Sequence, residues 1–172
     1  GALFGGRLEI NSLTAQSIDY IRNPVPAEGG ANLPQPEARG IEIPQLPVAV
    51  VIKKLSVPKI TFGEQVFGLG SAISLDGNIT LDGGSLNSKL AIKRLDGPGG
   101  GLDLTATYDK ATTKLGLDLT VTEPGDGIIA NLLDIEGRPA IKLNVTGSGP
   151  VDNLTTQLTF DAGTTRALAG SA

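Results

Sequence analysis

Apolar and polar residues take alternate places along most of the chain between Val48 and Leu119. Ile73, Leu75, Ile79 and Leu81 stand against Ser74, Asp76, Asn78, Thr80 and Asp82. Leu102, Leu104, Ala106 and Tyr108 stand against Asp103, Thr105 and Thr107, and Leu115, Leu117, Leu119 and Val121 against Gly116, Asp118 and Thr120. Successive side chains of a strand point to opposite faces, so a period of two predicts β-strands with one apolar and one wet face. The fold class expected is therefore all-β: a long, curved, mainly antiparallel sheet. What covers its apolar face becomes the functional question.

The strands can be placed in order. Arg7 to Leu13 reads as a first strand, and Thr14 to Arg22 as its continuation or return. Between Asn23 and Pro47 the alternation stops, and Pro24, Pro26, Pro34, Pro36, Pro44 and Pro47 remove ladder donors, which predicts an extended loop. Val48, Val50 and Ile52 begin a strand whose phase flips at Lys53-Lys54 and again after Pro58. A one-residue slip turns every side chain over, so a bulge or bend is expected at both places. Asp82-Gly83-Gly84 turns the chain into a strand carrying Leu86, Leu90 and Ile92. Leu102 to Tyr108 is expected to pair with Leu115 to Val121. Residues 126–135 break the pattern, with Ile128, Ile129, Leu132 and Leu133 at helical spacing. Asp126 is the expected N-cap there and Gly137 the stop. Ile141, Leu143 and Val145 resume the strands, and Leu154, Leu158 and Phe160 form the last clear one.

Composition removes several function classes. The chain has no His and no Cys, which excludes histidine-based triads and thiolate metal sites. Net charge is −4, with 14 Lys and Arg scattered in runs no longer than two and only 3% aromatics, a poor match to nucleic acid. No apolar run approaches the roughly 20 residues of a membrane-spanning helix, so the segment is expected to be soluble. Gly97-Pro98-Gly99-Gly100-Gly101 lacks the Lys-Ser/Thr and the helix of a phosphate loop and reads as a hairpin loop. The carboxylates Asp103, Asp109, Asp118, Glu123, Asp126 and Asp134 could supply a pair for glycoside cleavage, but most fall on the wet face or at turns, where solvation is their ordinary role. Asn78, Asn144 and Asn153 open Asn-x-Thr triplets that fit plain strand residues equally well. No enzyme chemistry, cofactor or metal is expected.

Two readings of the apolar face remain open on pattern alone. One is a β-sandwich core, two sheets or one sheet folded over, burying Leu against Leu. The other is a groove left open for an apolar ligand, favoured by the scarcity of large fillers: four Phe, two Tyr, no Trp and no Met. The groove lining expected is Ile73, Leu75, Ile79, Leu81, Leu90, Ile92, Leu102, Leu104, Leu115, Leu117, Leu119, Ile141, Leu143, Leu158 and Phe160. Ile128, Ile129, Leu132 and Leu133 are expected to cap or gate it.

The run Leu117-Asp118-Leu119-Thr120-Val121-Thr122-Glu123-Pro124-Gly125-Asp126-Gly127-Ile128-Ile129-Ala130-Asn131-Leu132-Leu133 resembles the strand, Glu-Pro turn and Leu-rich short helix of the TamB family. So do Gly137-Arg138-Pro139-Ala140-Ile141-Lys142-Leu143-Asn144-Val145 and Gly147-Ser148-Gly149-Pro150-Val151-Asp152-Asn153-Leu154. Upstream, Arg7-Leu8-Glu9-Ile10 and Ile21-Arg22-Asn23-Pro24, followed by Pro44-Gln45-Leu46-Pro47-Val48, keep the same order. These are soft Gly, Pro and aliphatic motifs, and the likeness rests on order and spacing over nearly the whole chain. That family of AsmA-like, bridge-like lipid transfer proteins implies a single open β-taco segment, 1–172, of a longer periplasmic protein anchored in the inner membrane. It implies phospholipid acyl chains as ligand, outer-membrane biogenesis as role and a TamA-like outer-membrane partner held by regions outside this segment. Assembly of β-barrel proteins by strand augmentation is the alternative role. Open edges and an apolar seam leave room for a homodimer of the segment.

Overall fold

A computed structural model describes residues 6–23, 49–97 and 99–171. Eleven strands form one open sheet. β1 (Arg7–Ile10), β2 (Leu13–Thr14) and β3 (Ile18–Tyr20) line one edge, along β4 (Ala49–Phe62). α1 (Glu64–Phe67) leads into β5 (Ser71–Asp82), β6 (Ser85–Arg94), β7 (Gly101–Asp109) and β8 (Lys114–Glu123). α2 (Ile128–Leu132) precedes β9 (Ile141–Pro150), β10 (Thr155–Ala162) and β11 (Thr165–Ser171), which is the other edge. From β4 onward each strand pairs antiparallel with the next, a meander, as the alternation requires. Leu102 opposes Val121 and Tyr108 opposes Leu115, the expected hairpin.

β4 carries both expected irregularities. Its register against β5 shifts between Ile52 and Leu55 and again between Val57 and Ile60. The extra residues fall at Lys53-Lys54 and Pro58-Lys59. Each bulge returns the apolar side chains to one face and adds local twist. Pro58 sits where no ladder donor is needed. Across these bulges the edge strand cannot stay continuous. Arg7 pairs with Ala49, Leu13 with Leu55 and Ile18 with Ile60, a constant offset of 42, so the three short pieces are one interrupted strand. Its gaps, at 11–12 and 15–17, lie opposite the two bulges.

Several sequence expectations need correction. The edge strand is parallel to β4, neither a single strand to Leu13 nor an antiparallel return. There are two short helices among the described residues, not one. The second covers Ile128–Leu132 only, because Leu133 is already its C-cap and Asp134 turns with φ 50. β11, a strand of small and polar residues, follows Phe160. The loop expected over 23–47 lies outside the described residues except for Asn23.

No second sheet packs on the first among the described residues, which rules out a two-sheet sandwich there. The consequence is visible in burial. The buried apolar side chains are Val51, Val57, Val121, Ala130 and Ile141, and no large side chain is fully buried. Leu75, Leu90, Leu104 and Leu119, central to the pattern, are only half-buried.

Candidate functional site

Register gathers the apolar residues into ladders that cross the sheet. One runs Leu13, Leu55, Gly77, Leu90, Leu104, Leu119, Val145 and Leu158. The next runs Val57, Leu75, Ile92, Leu102, Val121, Leu143, Phe160 and Leu168. Ile52, Ile79, Ser88, Ala106, Leu117 and Gly147 form a third with smaller side chains. Ile73, Leu81, Leu115 and Ile141 stand at the ends of the same face. All fifteen residues expected to line the groove therefore share one face of the sheet. The opposite face carries Asp76, Lys89, Asp103, Thr105, Asp118, Thr120, Asn144 and Thr146.

The β4 residues Val50, Ile52, Leu55, Val57, Ile60 and Phe62, expected as an apolar strand face but not among the lining residues, join the same face, with Leu8, Ile10, Leu13, Ile18 and Tyr20 beside them on the edge. The signal for that edge was present: it repeats both phase flips of β4 at a spacing of 42. Gly77 interrupts a ladder of leucines because a Cβ there would lie 2.3 Å from the Lys89 carbonyl and 2.8 Å from Leu90 Cδ2. Leu90 fills the space instead.

The two helices cover one end of this face. α1 starts at Gly63, where a Cβ would lie 2.2 Å from the Ile21 carbonyl, and ends at Gly68 with φ 78. It sets Phe67 on Phe62, ring centroids 4.9 Å apart, with Tyr20 edge-on to Phe62 at 6.2 Å. α2 is fastened to α1 by Asn131, whose Nδ2 donates to the Phe67 carbonyl at 2.8 Å. Its N-terminus is capped from the preceding strand, not by Asp126. The Glu123 carboxylate accepts the Ile128 N–H at 2.5 Å and the Ile129 N–H at 2.7 Å. Asp126 instead forms a left-handed turn residue, φ 59, whose N–H donates to the Arg138 carbonyl.

Beneath this cover lies a cavity of about 270 Å³, walled by Phe62, Phe67, Ile73, Ile92, Arg94, residues 99–101, Leu102, Val121, Thr122, Glu123, Ile128 and Ile129. Of the four helical residues expected to cap the groove, Ile128 and Ile129 line it. Leu132 and Leu133 do not: they are 62% and 59% exposed, because a five-residue helix shows its partners only its first turn.

The cavity wall holds one ion network. The Arg94 side chain is 8% exposed and that of Asp96 32%. Arg94 Nε and Nη2 donate to Asp96 Oδ2 at 3.2 and 2.9 Å, and the Ala72 N–H donates to Asp96 Oδ1 at 2.6 Å. Burial pushes the Asp96 carboxyl up, but the Arg94 hydrogen bond, the Ala72 amide and the Arg94 charge outweigh it and hold it below its ordinary range. Arg94 Nη1 stands 3.8 Å from Glu123 Oε1, too long for a hydrogen bond. The other carboxylates considered do not converge. Asp109 accepts N–H bonds from Ala111 and Thr112 in the β7–β8 turn, and no cluster suited to a metal occurs among the described residues.

The chain matches no protein-family profile, no curated protein and no solved structure.

Proposed function

We propose that this chain is a non-enzymatic conduit segment whose groove carries the acyl chains of phospholipid. The observation that carries the reading is the uncovered face: aliphatic ladders cross the sheet from β4 to β10 and, apart from the buried Val57 and Val121, stay half-exposed. Contiguous apolar surface of this kind is costly to leave in water and marks a binding surface. Each methylene laid on it gains about 0.8 kcal/mol without directional contacts, so a chain can slide along it. Headgroups then stay in water at the open seam. The resemblance to the TamB family gives the setting: a periplasmic stretch of an inner-membrane-anchored protein that serves outer-membrane biogenesis, with a TamA-like partner engaged elsewhere in the molecule.

Native mass spectrometry of the purified chain, followed by lipid extraction, tests the reading. Phospholipid should co-purify, and Leu104→Asp, folded by circular dichroism, should lose it. A folded Leu104→Asp chain that retains the wild-type lipid load contradicts the groove.

A second reading, strand augmentation during β-barrel assembly, draws support from β11. Every residue of Thr165–Ser171 is exposed, and the strand pairs on one side only.

A further inference from the structure

Among the described residues, two buried side-chain polar atoms lack a hydrogen-bond partner, Ser71 Oγ and Arg94 Nη1. Register sets them on neighbouring strands, one alternation apart. Arg94 opposes Ile73 across the β5–β6 ladder, and Ser71 is two residues before Ile73 on the same face. Both therefore sit on the groove face, at its helix-covered end. Ser71 is 4% exposed and the Arg94 side chain 8%. Native interiors rarely leave such groups orphaned, because each costs its desolvation without return. Arg94 lines the cavity; Ser71 lies behind its wall, between the lining residues Phe62, its register partner, and Ile73, two residues on.

We infer that this end of the groove seats an uncharged acceptor oxygen, the ester carbonyl of an acyl chain, between Arg94 Nη1 and Ser71 Oγ. The inference rests on the conduit reading and names what the conduit recognises. Arg94 Nη1 can only donate and the Ser71 hydroxyl can donate, so an acceptor oxygen is the one kind of group that serves both. Charge decides which kind. Arg94 already faces two carboxylates, Asp96 at 2.9 Å and Glu123 at 3.8 Å. A phosphate or free carboxylate placed there would add a third negative group around one cation. An ester oxygen brings no charge, and its chain continues onto Ile92 and Leu102 in the cavity wall.

Calorimetric titration compares diheptanoylphosphatidylcholine with its diheptyl ether analogue, which differs only in lacking the carbonyl oxygens. The wild-type chain should bind the ester about tenfold tighter, the factor that 1.4 kcal/mol carries. The ester-to-ether ratio should fall about threefold or more in Ser71→Ala and approach one in Arg94→Met/Glu123→Gln. The paired change avoids leaving Glu123 buried opposite a lost cation, and Ser71→Ala keeps the test alive if the double variant does not fold. Equal binding of ester and ether by the wild type overturns the inference and leaves the conduit standing. Binding of neither overturns both. Tighter binding of laurate than of methyl laurate makes the site an anion site and also overturns the inference.

Discussion

Gly127→Ala should be the most informative single-atom-scale change in this protein. Gly127 has φ −84 and ψ 177, a conformation any residue adopts, so alanine there brings no backbone strain. Its Cβ would instead lie 2.0 Å from Glu123 Cδ and 2.4 Å from Glu123 Oε2. The carboxylate must leave. It is 7% exposed and holds the Ile128 and Ile129 amides, so both bonds to the first turn of α2 are lost. Losing a helix cap costs about 0.5–2 kcal/mol, and a buried charged acceptor raises that toward about 2–3 kcal/mol. For a chain of this size, roughly 2–4 °C per kcal/mol gives a fall in Tm of about 4–12 °C. Thermal denaturation reads the total, and amide hydrogen exchange at Ile128 and Ile129 reads the local loss. A double-mutant cycle isolates the cause. In a Glu123→Ala background the same Gly127→Ala change should cost almost nothing, because the colliding group is gone. If Gly127→Ala destabilises equally in both backgrounds, the capping role assigned to Glu123 is wrong.

Further expectations follow from the same end of the groove. The Asp96 carboxyl titrates lower folded than unfolded, so the unfolded chain binds more protons as the solution is acidified. The stability it contributes is full above the unfolded carboxyl pKa and is lost as pH falls through the lower folded value; Asp96→Asn should flatten that part of a stability-against-pH curve, and an unchanged acid limb would contradict the assignment. Asn131→Ala removes the α1–α2 hydrogen bond to Phe67 and should cost about 1 kcal/mol in chemical denaturation. It should also speed hydrogen exchange in α2 without affecting β7 and β8, whereas uniform loss of protection would show that the helices are not a separate cover.

The sheet was legible in the sequence because alternation is a statement about every second residue, repeated in every strand. Even the two bulges in β4 could be read, since Lys53-Lys54 and Pro58 are the places where the apolar phase breaks. What escaped was non-local or short. The parallel edge depends on how the chain returns after 24–48, and no residue of Arg7–Ile10 encodes a direction. α1 is four residues between glycines, too brief for a periodic pattern. The cap of α2 comes from Glu123, on a strand, and a search confined to the residue before the helix finds Asp126. β11 carries one large apolar residue, Leu168, in a run of small and polar ones, so alternation barely registers there. That the apolar residues share one face of the sheet was legible from their alternation; the Arg94 network at one end was not, because a lone arginine in a strand reads as solvent-facing.

The two functional readings use different parts of the sheet, and the edges are not equivalent. On the β1–β3 side the free strand is cut by the bulges of β4 into pieces of four, two and three residues. It also carries charge: Arg7 pairs with Asp82 at 3.5 Å, and Glu9 with Lys53, which holds the Glu9 carboxyl below its ordinary range. Short, charged and interrupted edges resist pairing. β11 has seven consecutive residues, all exposed, with Arg166 its only charge, tied to Asp161 at 2.9 Å. Of the two edges formed by the described residues, β11 is therefore the more open to an added strand. There Leu168 already continues the ladder that ends in Leu143 and Phe160, so an added strand with an apolar residue opposite Leu168 would widen the groove instead of blocking it. Augmentation at β11 and a ligand on the face are thus compatible uses of one sheet. What separates them is which variant abolishes which activity: proline at an outward-facing β11 amide should stop strand addition and spare lipid binding, and Leu104→Asp should do the reverse.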